Sequence, residues 1–224
     1  MNFQIDPIRF TKREEAIKIW LSKNNADSFL IQAENLLATL PSEQIENEFF
    51  SGIERGIKFC NENETIYSEI LKKFKSVKAL DFQWYFDGNT SDVAFAYALD
   101  SCKGFGNISG TDLGPREIPG IESDLKHGYL VYEDFSSIPV HHSINSYVEN
   151  LQNPVRESID EDRISSEVEV LLLDLFQIWN YKIAYEVCKR ISDWEGLKKR
   201  SSFWVTMTRH DRWSVPIFLI DKNL

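Results

Sequence analysis

The chain has 224 residues, of which 42% are hydrophobic and 13% aromatic, and its 35 acidic and 25 basic residues give a formal charge of −10. This composition excludes a disordered chain, because enough apolar side chains are present to fill a core. The negative charge disfavours nucleic acid as a direct partner, since a polyanion is bound through a basic face.

Two helices are predicted near the start of the chain. Residues Thr11 to Glu14 have the spacing of a capping box and lead into an apolar stripe, so a first helix is expected to begin there. Asp27 is placed to cap a second helix. Pro41 is expected to end that helix, because proline cannot continue it.

Two further helices are predicted before residue 79. The third begins at Ser42 and carries apolar residues at helical spacing, namely Ile45, Phe49, Ile53 and Ile57. Gly52 and Gly56 lie four residues apart on it and predict a close crossing with another helix. A fourth helix is predicted from the spacing of Ile66, Ile70 and Phe74.

From residue 79 the apolar period changes from 3.6 to 2, which predicts strands. Leu80, Phe82 and Trp84 begin one alternating run, and a second run follows the turn predicted at residues 87–91, so a β-hairpin is expected. Gly104 to Gly128 is predicted as a long irregular loop of the kind that is often functional. A short strand is predicted from Tyr129 to Tyr132, and it extends at most to Val140.

The last part of the chain is predicted to contain two helices followed by two strands. A short helix runs from Ile144 to Gln152, and a long one runs from about Ser166 with a break near Asn180, because an unbroken helix would be unusually long. The alternation of Phe203, Val205 and Met207 predicts a strand. Pro216 marks the final strand as an edge strand or a bulged one.

These elements predict an α+β fold, in which N-terminal helices are followed by a mostly antiparallel sheet packed with helices. Residues 1–78 are expected to form a helical subdomain, and residues 79–224 the sheet-containing part. Because the sheet would join strands before and after the long helix, the two parts are expected to form one continuous domain.

The expected location is the cytoplasm. No segment has the apolar length of a bilayer span, and the first ten residues lack the basic and apolar regions of a signal peptide. Cys60, Cys102 and Cys188 lie far apart within apolar patterns, so they are expected to be reduced thiols in the core.

Motifs for catalysis or cofactor binding are incomplete. Gly104 and Gly106 have the spacing that opens a dinucleotide-binding loop, but Ser109 stands where the third glycine belongs. His141 and His142 are adjacent, so on a strand at most one of them can join a given metal site. No catalytic residue, metal site or cofactor is therefore expected.

The net charge is concentrated in the middle of the chain. Residues 79–160 carry 13 acidic and 4 basic residues, whereas residues 1–78 and 161–224 are close to neutral. One interpretation is a solvated surface that confers solubility. The other is a surface for a basic partner, in which aromatic side chains supply contact area and carboxylates supply steering. The residues expected to bind that partner are Asp112, Glu117, Glu122, Asp124, Tyr129, Tyr132, Glu133 and Asp134.

In overall character, without a diagnostic motif, the chain resembles bacterial toxin-immunity proteins: it is small, acidic and poor in cysteine, and it carries an acidic, aromatic-rich region in residues 79–134. The resemblance implies a non-enzymatic protein that neutralises a basic toxin domain by binding it. The alternative is a metal-assisted hydrolase with an acidic site around Asp134 and His141 or His142. An acidic cleft that acts on a glycosidic bond is a further alternative.

Overall fold

The computed structural model describes residues 7–68, 72–84, 94–100, 128–135, 162–191, 202–209 and 214–221, together with Trp194 and Leu197. This part of the chain has an α+β fold, as the sequence predicts. Its four helices are α1 (Ile8–Lys23), α2 (Asp27–Thr39), α3 (Ser42–Glu62) and α4 (Asp162–Arg190). Its seven strands are β1 (Thr65–Ser68), β2 (Lys73–Ser76), β3 (Ala79–Trp84), β4 (Ala94–Leu99), β5 (Gly128–Phe135), β6 (Ser202–Arg209) and β7 (Ser214–Asp221).

Five of the strands form a mixed sheet in the order β5-β4-β3-β6-β7. Neighbouring strands are antiparallel, except that β3 and β6 run parallel. The sheet is therefore mostly antiparallel and joins strands that precede and follow α4, as predicted. β3 is its central strand and connects the two halves of the sheet.

The predicted fourth helix is wrong, because β1 and β2 form an antiparallel hairpin there. The spacing of Ile66, Ile70 and Phe74 suits a helix, but Thr65, Ile66 and Tyr67 are β-branched or aromatic residues that favour a strand. Pairing with β2 satisfies the backbone groups of this run. Within the described residues, the helical part of residues 1–78 therefore ends at Glu62.

The starts of the first two helices differ from the prediction. α1 begins before Thr11, because Pro7 adopts a helical conformation and its carbonyl oxygen accepts a hydrogen bond from the Phe10 N–H at 3.0 Å. Asp27 is the first residue of α2 and does not cap it; its carboxylate accepts a hydrogen bond from the Ser22 hydroxyl at 2.6 Å. α2 ends at Thr39, just before Pro41, as predicted.

Helix α3 begins at Ser42, as predicted, and lies against the sheet. Its predicted apolar stripe is buried: Ile45, Phe49, Ile53 and Ile57 are at most 1% exposed. The close approach predicted at Gly56 is to a strand and not to a helix, since a Cβ atom at Gly56 would lie 2.3 Å from Leu80 Cδ2 of β3. Glycine at this position therefore lets α3 approach the centre of the sheet.

Helix α4 is continuous, so the predicted break near Asn180 is wrong. It has 29 residues, which corresponds to a length of about 43 Å. Asn180 is 2% exposed and lies inside the packing. α4 contacts α1, α2 and α3, as well as β7, and this packing stabilises a helix longer than its local pattern suggests.

The β3–β4 hairpin is confirmed, and it forms the centre of the core. Leu80 lies opposite Ala98, and Phe82 lies opposite Ala96, and all four are at most 1% exposed. The core is one cluster that contains side chains from α1 to α4 and from the five-stranded sheet. The small alanines on β4 leave room for the larger side chains of β3 and α3.

The final two strands are confirmed. Phe203, Val205 and Met207 of β6 are fully buried. β7 lies at one end of the described sheet, and its register with β6 shifts so that Val205 pairs with Phe218 and Thr206 pairs with Pro216. Pro216 therefore lies in an edge strand next to a bulge, which satisfies both parts of the prediction.

Some predictions fall outside the described residues. They are the loop from Gly104 up to β5, the short helix from Ile144 to Gln152, and the turns at residues 87–91 and 210–212. No helix in the described ranges combines the length and the apolar character that crossing a membrane requires.

Candidate interaction surfaces

Strand β5 carries four of the residues expected to bind a partner. Its neighbour in the described sheet is β4, on one side only, so β5 is an edge strand of that sheet. Tyr129 lies opposite Ala98, and Tyr132 lies opposite Ala96, with one register shift between these two pairs. Three residues along β5 thus match two along β4, which is the signature of a bulge. Glu133 and Asp134 follow on the same edge strand.

The other four expected residues, Asp112, Glu117, Glu122 and Asp124, lie outside the described residues. The structure does show where their segment is attached. Leu99 at the end of β4 lies opposite Gly128 at the start of β5. Residues 101–127 therefore leave and re-enter the described sheet at one corner, beside the edge strand that carries Tyr129.

The alternative metal site around Asp134 and His141 or His142 lies partly outside the described residues. Asp134 lies in β5, whereas His141 and His142 fall outside the described ranges. Among the described side chains, no group of three or more His, Cys, Asp or Glu residues is arranged to hold a metal ion.

The buried cysteines are suited to packing. Cys60 and Cys188 are reduced thiols with no exposed surface, which agrees with the prediction for these two residues. Burial raises the pKa of the Cys188 thiol far above its usual range, because the thiolate would lose its hydration. A thiol that stays protonated is a poor nucleophile. Cys102 lies outside the described residues.

Buried polar contacts hold the helices and strands together. The Arg13 guanidinium of α1, which is 2% exposed, donates to the Asp174 carboxylate of α4 at 2.8 Å. The Thr206 hydroxyl of β6 donates to the Asp81 carboxylate of β3, and both residues are fully buried. Each contact joins elements that are distant in sequence, so we interpret them as structural.

An open groove of about 770 Å³ follows the turn between α2 and α3 and the first half of α3. Seven of its nine lining residues have polar or charged side chains; the nine are Leu40, Pro41, Ser42, Glu43, Gln44, Asn47, Glu48, Ser51 and Arg55. The groove combines carboxylates with one guanidinium, and no set of convergent catalytic groups is evident among these residues.

The β1–β2 hairpin presents a surface that the sequence prediction missed. Tyr67 is 47% exposed and Phe74 is 69% exposed, and their rings meet edge to face with centroids 5.4 Å apart. Lys72 and Lys73, which precede Phe74 in the chain, are also exposed. The alternation of lysine with Phe74 in residues 73–75 was the signal for an exposed strand, but the helical spacing of the apolar residues obscured it.

Comparison of the chain with protein-family models, with curated proteins and with solved structures finds no match. Interpretation of the candidate surfaces therefore depends on charge, exposure and geometry.

Proposed function

We propose that this chain is a non-enzymatic binding protein, and specifically an immunity protein that neutralises a basic toxin domain. The surface involved would be the acidic, aromatic-rich region of residues 79–134. The observation that carries the proposal is the uneven charge: residues 79–160 hold 13 acidic and 4 basic residues, while the rest of the chain is close to neutral. Two of the acids, Asp81 and Asp100, are buried and do not belong to the proposed surface. Charge confined to one region favours recognition of a partner over general solubility.

The attachment of this region to the sheet supports the proposal. The segment with Asp112, Glu117, Glu122 and Asp124 is joined at both ends to the corner formed by β4 and β5. The β4 side of this attachment belongs to the buried core, since Leu99 is 2% exposed. A binding region fixed to a rigid element loses less conformational entropy on association than one on a free tail.

The proposed mechanism is stoichiometric binding. Carboxylates would accelerate association with a basic surface, and the aromatic residues Tyr129 and Tyr132 would supply contact area. An interface of ordinary size buries about 800 Å² on each partner. Such an interface covers a toxin active site or its substrate channel and thereby blocks the reaction without any chemistry by the inhibitor.

The experiment is to mix the purified protein with the product of the gene adjacent to its own and to measure association at low salt. The charge-reversal variant Glu117→Lys, Glu122→Lys, Asp124→Lys is compared with a control of equal charge change, Glu15→Lys, Glu43→Lys, Glu54→Lys, at exposed positions on α1 and α3. We expect the first variant to associate at least about tenfold more slowly than the control.

Two results would overturn the proposal. The first is the absence of a complex at low salt with the wild-type chain. The second is a rise of the melting temperature when Mg²⁺, Mn²⁺ or Zn²⁺ is added, together with its reversal by EDTA, since a metal bound to the native state stabilises it. The second result would favour the metal-assisted hydrolase with Asp134 and His141.

A further inference from the structure

The two edge strands of the described five-stranded sheet differ in how they resist further pairing. β7 contains Pro216, which has no N–H to donate, and the Arg9 guanidinium of α1 donates a hydrogen bond to the Pro216 carbonyl oxygen. Proline in an edge strand discourages the addition of another strand. β5 contains no proline, and four of its eight residues are tyrosine, valine or phenylalanine, which favour an extended backbone.

The backbone of β5 is paired on one side within the described sheet. β5 pairs with β4 from Gly128 to Phe135, and no other described strand pairs with it. Alternate residues of a strand direct their N–H and C=O groups to opposite sides, so about half of these groups in β5 point away from β4. Helix α3 also contacts β5, so the strand is supported by the helices as well as by β4. This edge therefore offers a supported row of donors and acceptors to a further strand.

The charge along this edge selects what can pair with it. β5 contains Glu133 and Asp134 and no lysine or arginine, and residues 120–140 contain four acidic residues and one lysine, a net charge of −3. At the corner where β5 begins, the Lys75 ammonium lies 3.8 Å from the Asp100 carboxylate and is balanced by it. Like charges oppose pairing with a second copy of this chain, whereas a strand rich in lysine or arginine is attracted.

The register shifts between β4 and β5 limit how far an added strand can follow this edge. Such shifts mark bulges, which bend a strand and increase its twist. Bulges and charges together protect an edge against indiscriminate pairing. Here the charges are all negative, so the protection is selective: it excludes acidic strands and admits a short basic one.

We propose that β5 takes up a short, extended, basic segment of the partner protein as a further strand of the sheet. Backbone hydrogen bonds along the edge that points away from β4 would supply affinity, and Glu133 and Asp134 would select lysine and arginine side chains on the added strand. The identity of the partner as a toxin domain rests on the proposed function, whereas the way in which β5 binds a basic strand does not.

The test uses the full chain and a fluorescein-labelled decapeptide of alternating lysine and threonine, and it measures binding by fluorescence anisotropy at low salt. A matched peptide carries a methyl group on every backbone nitrogen, so it keeps the side chains and the charge but loses all backbone donors. On the protein, Glu133→Lys with Asp134→Lys is compared with Glu15→Lys with Glu43→Lys, at exposed positions on α1 and α3. Circular dichroism checks that both variants are folded. Amide hydrogen exchange with and without the peptide compares β5 with β7.

We expect backbone methylation of the peptide to weaken binding about tenfold or more, because the hydrogen bonds to β5 are lost. The Glu133→Lys, Asp134→Lys variant should also bind about tenfold more weakly, and its control should change binding less than about twofold. The unmodified peptide should slow exchange in β5 and leave β7 unchanged, since only β5 gains hydrogen bonds.

Three results would overturn the inference. The first is equal binding of the two peptides, which would mean that charge alone attracts them. The second is unchanged exchange in β5 when the peptide is bound, or no binding at all. The third is slowed exchange in β5 at high protein concentration without peptide, which would assign the edge to a second copy of this chain.

Failure of this inference is distinguishable from failure of the proposed function. If the peptide binds along β5 but the toxin domain does not associate, the strand site stands and the proposed function fails. If the toxin domain associates without slowing exchange in β5, the proposed function stands and this inference fails.

Discussion

Two antiparallel hairpins follow each other in the chain and have opposite environments. In β3–β4, Leu80, Phe82, Ala96 and Ala98 are at most 1% exposed and face the helices. In β1–β2, Tyr67 is 47% exposed and Phe74 is 69% exposed. Both hairpins contain alternating aromatic residues. The difference arises from what covers them, because α3 packs on β3 and β4, whereas β1 and β2 have one described buried side chain, Ile66.

An aromatic side chain in a strand can be buried in the core or exposed on the surface. The alternating pattern of the strand alone does not tell which of the two occurs. The presence of an aromatic side chain at Phe82 is explained by packing, since Phe82 lies in the buried core cluster. Phe74 lies outside that cluster and is 69% exposed, so packing in the core does not explain it. The predictions below test this contrast, beginning with the largest expected effect.

The first prediction compares the same substitution in the two hairpins. Phe82→Ala should lower the free energy of unfolding by about 3–5 kcal/mol, because it opens a cavity in the core. Phe74→Ala should change it by less than about 0.5 kcal/mol, because the side chain is already mostly hydrated. Urea unfolding followed by circular dichroism measures both. Similar costs for the two variants would show that the β1–β2 hairpin is part of the core.

The second prediction concerns the approach of α3 to β3. Gly56→Ala should destabilise the protein, because the new Cβ atom would lie 2.3 Å from Leu80 Cδ2. In a Leu80→Ala background the same change should stabilise the protein by up to about 1 kcal/mol, since alanine is the better helix former. A double-mutant cycle in urea should give a coupling of about 2 kcal/mol. Additive effects would mean that Leu80 moves aside without cost.

The third prediction concerns the buried contact between β3 and β6. Thr206→Val keeps the side-chain shape but removes the hydroxyl that donates to Asp81, and it should cost about 1.5 kcal/mol of stability. The matched control is Thr65→Val at an exposed position of β1, where a change below about 0.5 kcal/mol is expected. The contrast is refuted if the two variants unfold at the same urea concentration.

The smallest expected effect concerns the ion pairs of Glu14 within α1 and between α1 and α4. Burial alone would raise the pKa of the Glu14 carboxyl, but hydrogen bonds and charge interactions with Lys18 and Lys182 outweigh burial and hold the pKa below its ordinary value of 4.5. A lowered pKa in the folded state contributes stability above the ordinary value, and this stability is lost as the pH falls through the folded pKa.

Glu14→Gln should therefore cost about 0.5–1 kcal/mol at pH 7, and the difference from the wild-type chain should shrink as the pH falls below 4.5. The control is Glu15→Gln, which changes an exposed neighbour. Urea unfolding at several pH values measures both variants. A difference that stays constant down to acid pH would argue against the ion pairs of Glu14 with Lys18 and Lys182.

Much of the fold could be predicted from the sequence where one local period dominates. The stripe of Ile45, Phe49, Ile53 and Ile57 predicted α3, and the alternation of Leu80 and Phe82 predicted β3. The prediction failed at Ile66 and Phe74, because a four-residue spacing also occurs by chance across a hairpin. It failed at Asn180 because packing by three other helices, which no local pattern reveals, keeps α4 continuous.

The candidate sites could be predicted only in part. The charge of residues 79–160 pointed to a region of the chain, and the register of β5 then located Tyr129 and Tyr132 on an edge strand. The pairing of Tyr67 with Phe74 could not be predicted, since it depends on the register of a hairpin whose strands were expected to be helical. Long-range pairing of β3 with β6 likewise has no local signal.

The parallel pairing of β3 with β6 makes the time course of folding depend on a distant contact. Asp81 and Thr206 are 125 residues apart in the chain, so β3 is synthesised long before its partner. At ordinary rates of translation the interval is on the order of 10 s. During that time the central strand has an unpaired apolar edge, and such edges associate with other chains. We therefore expect the yield of native protein to depend on the speed of translation.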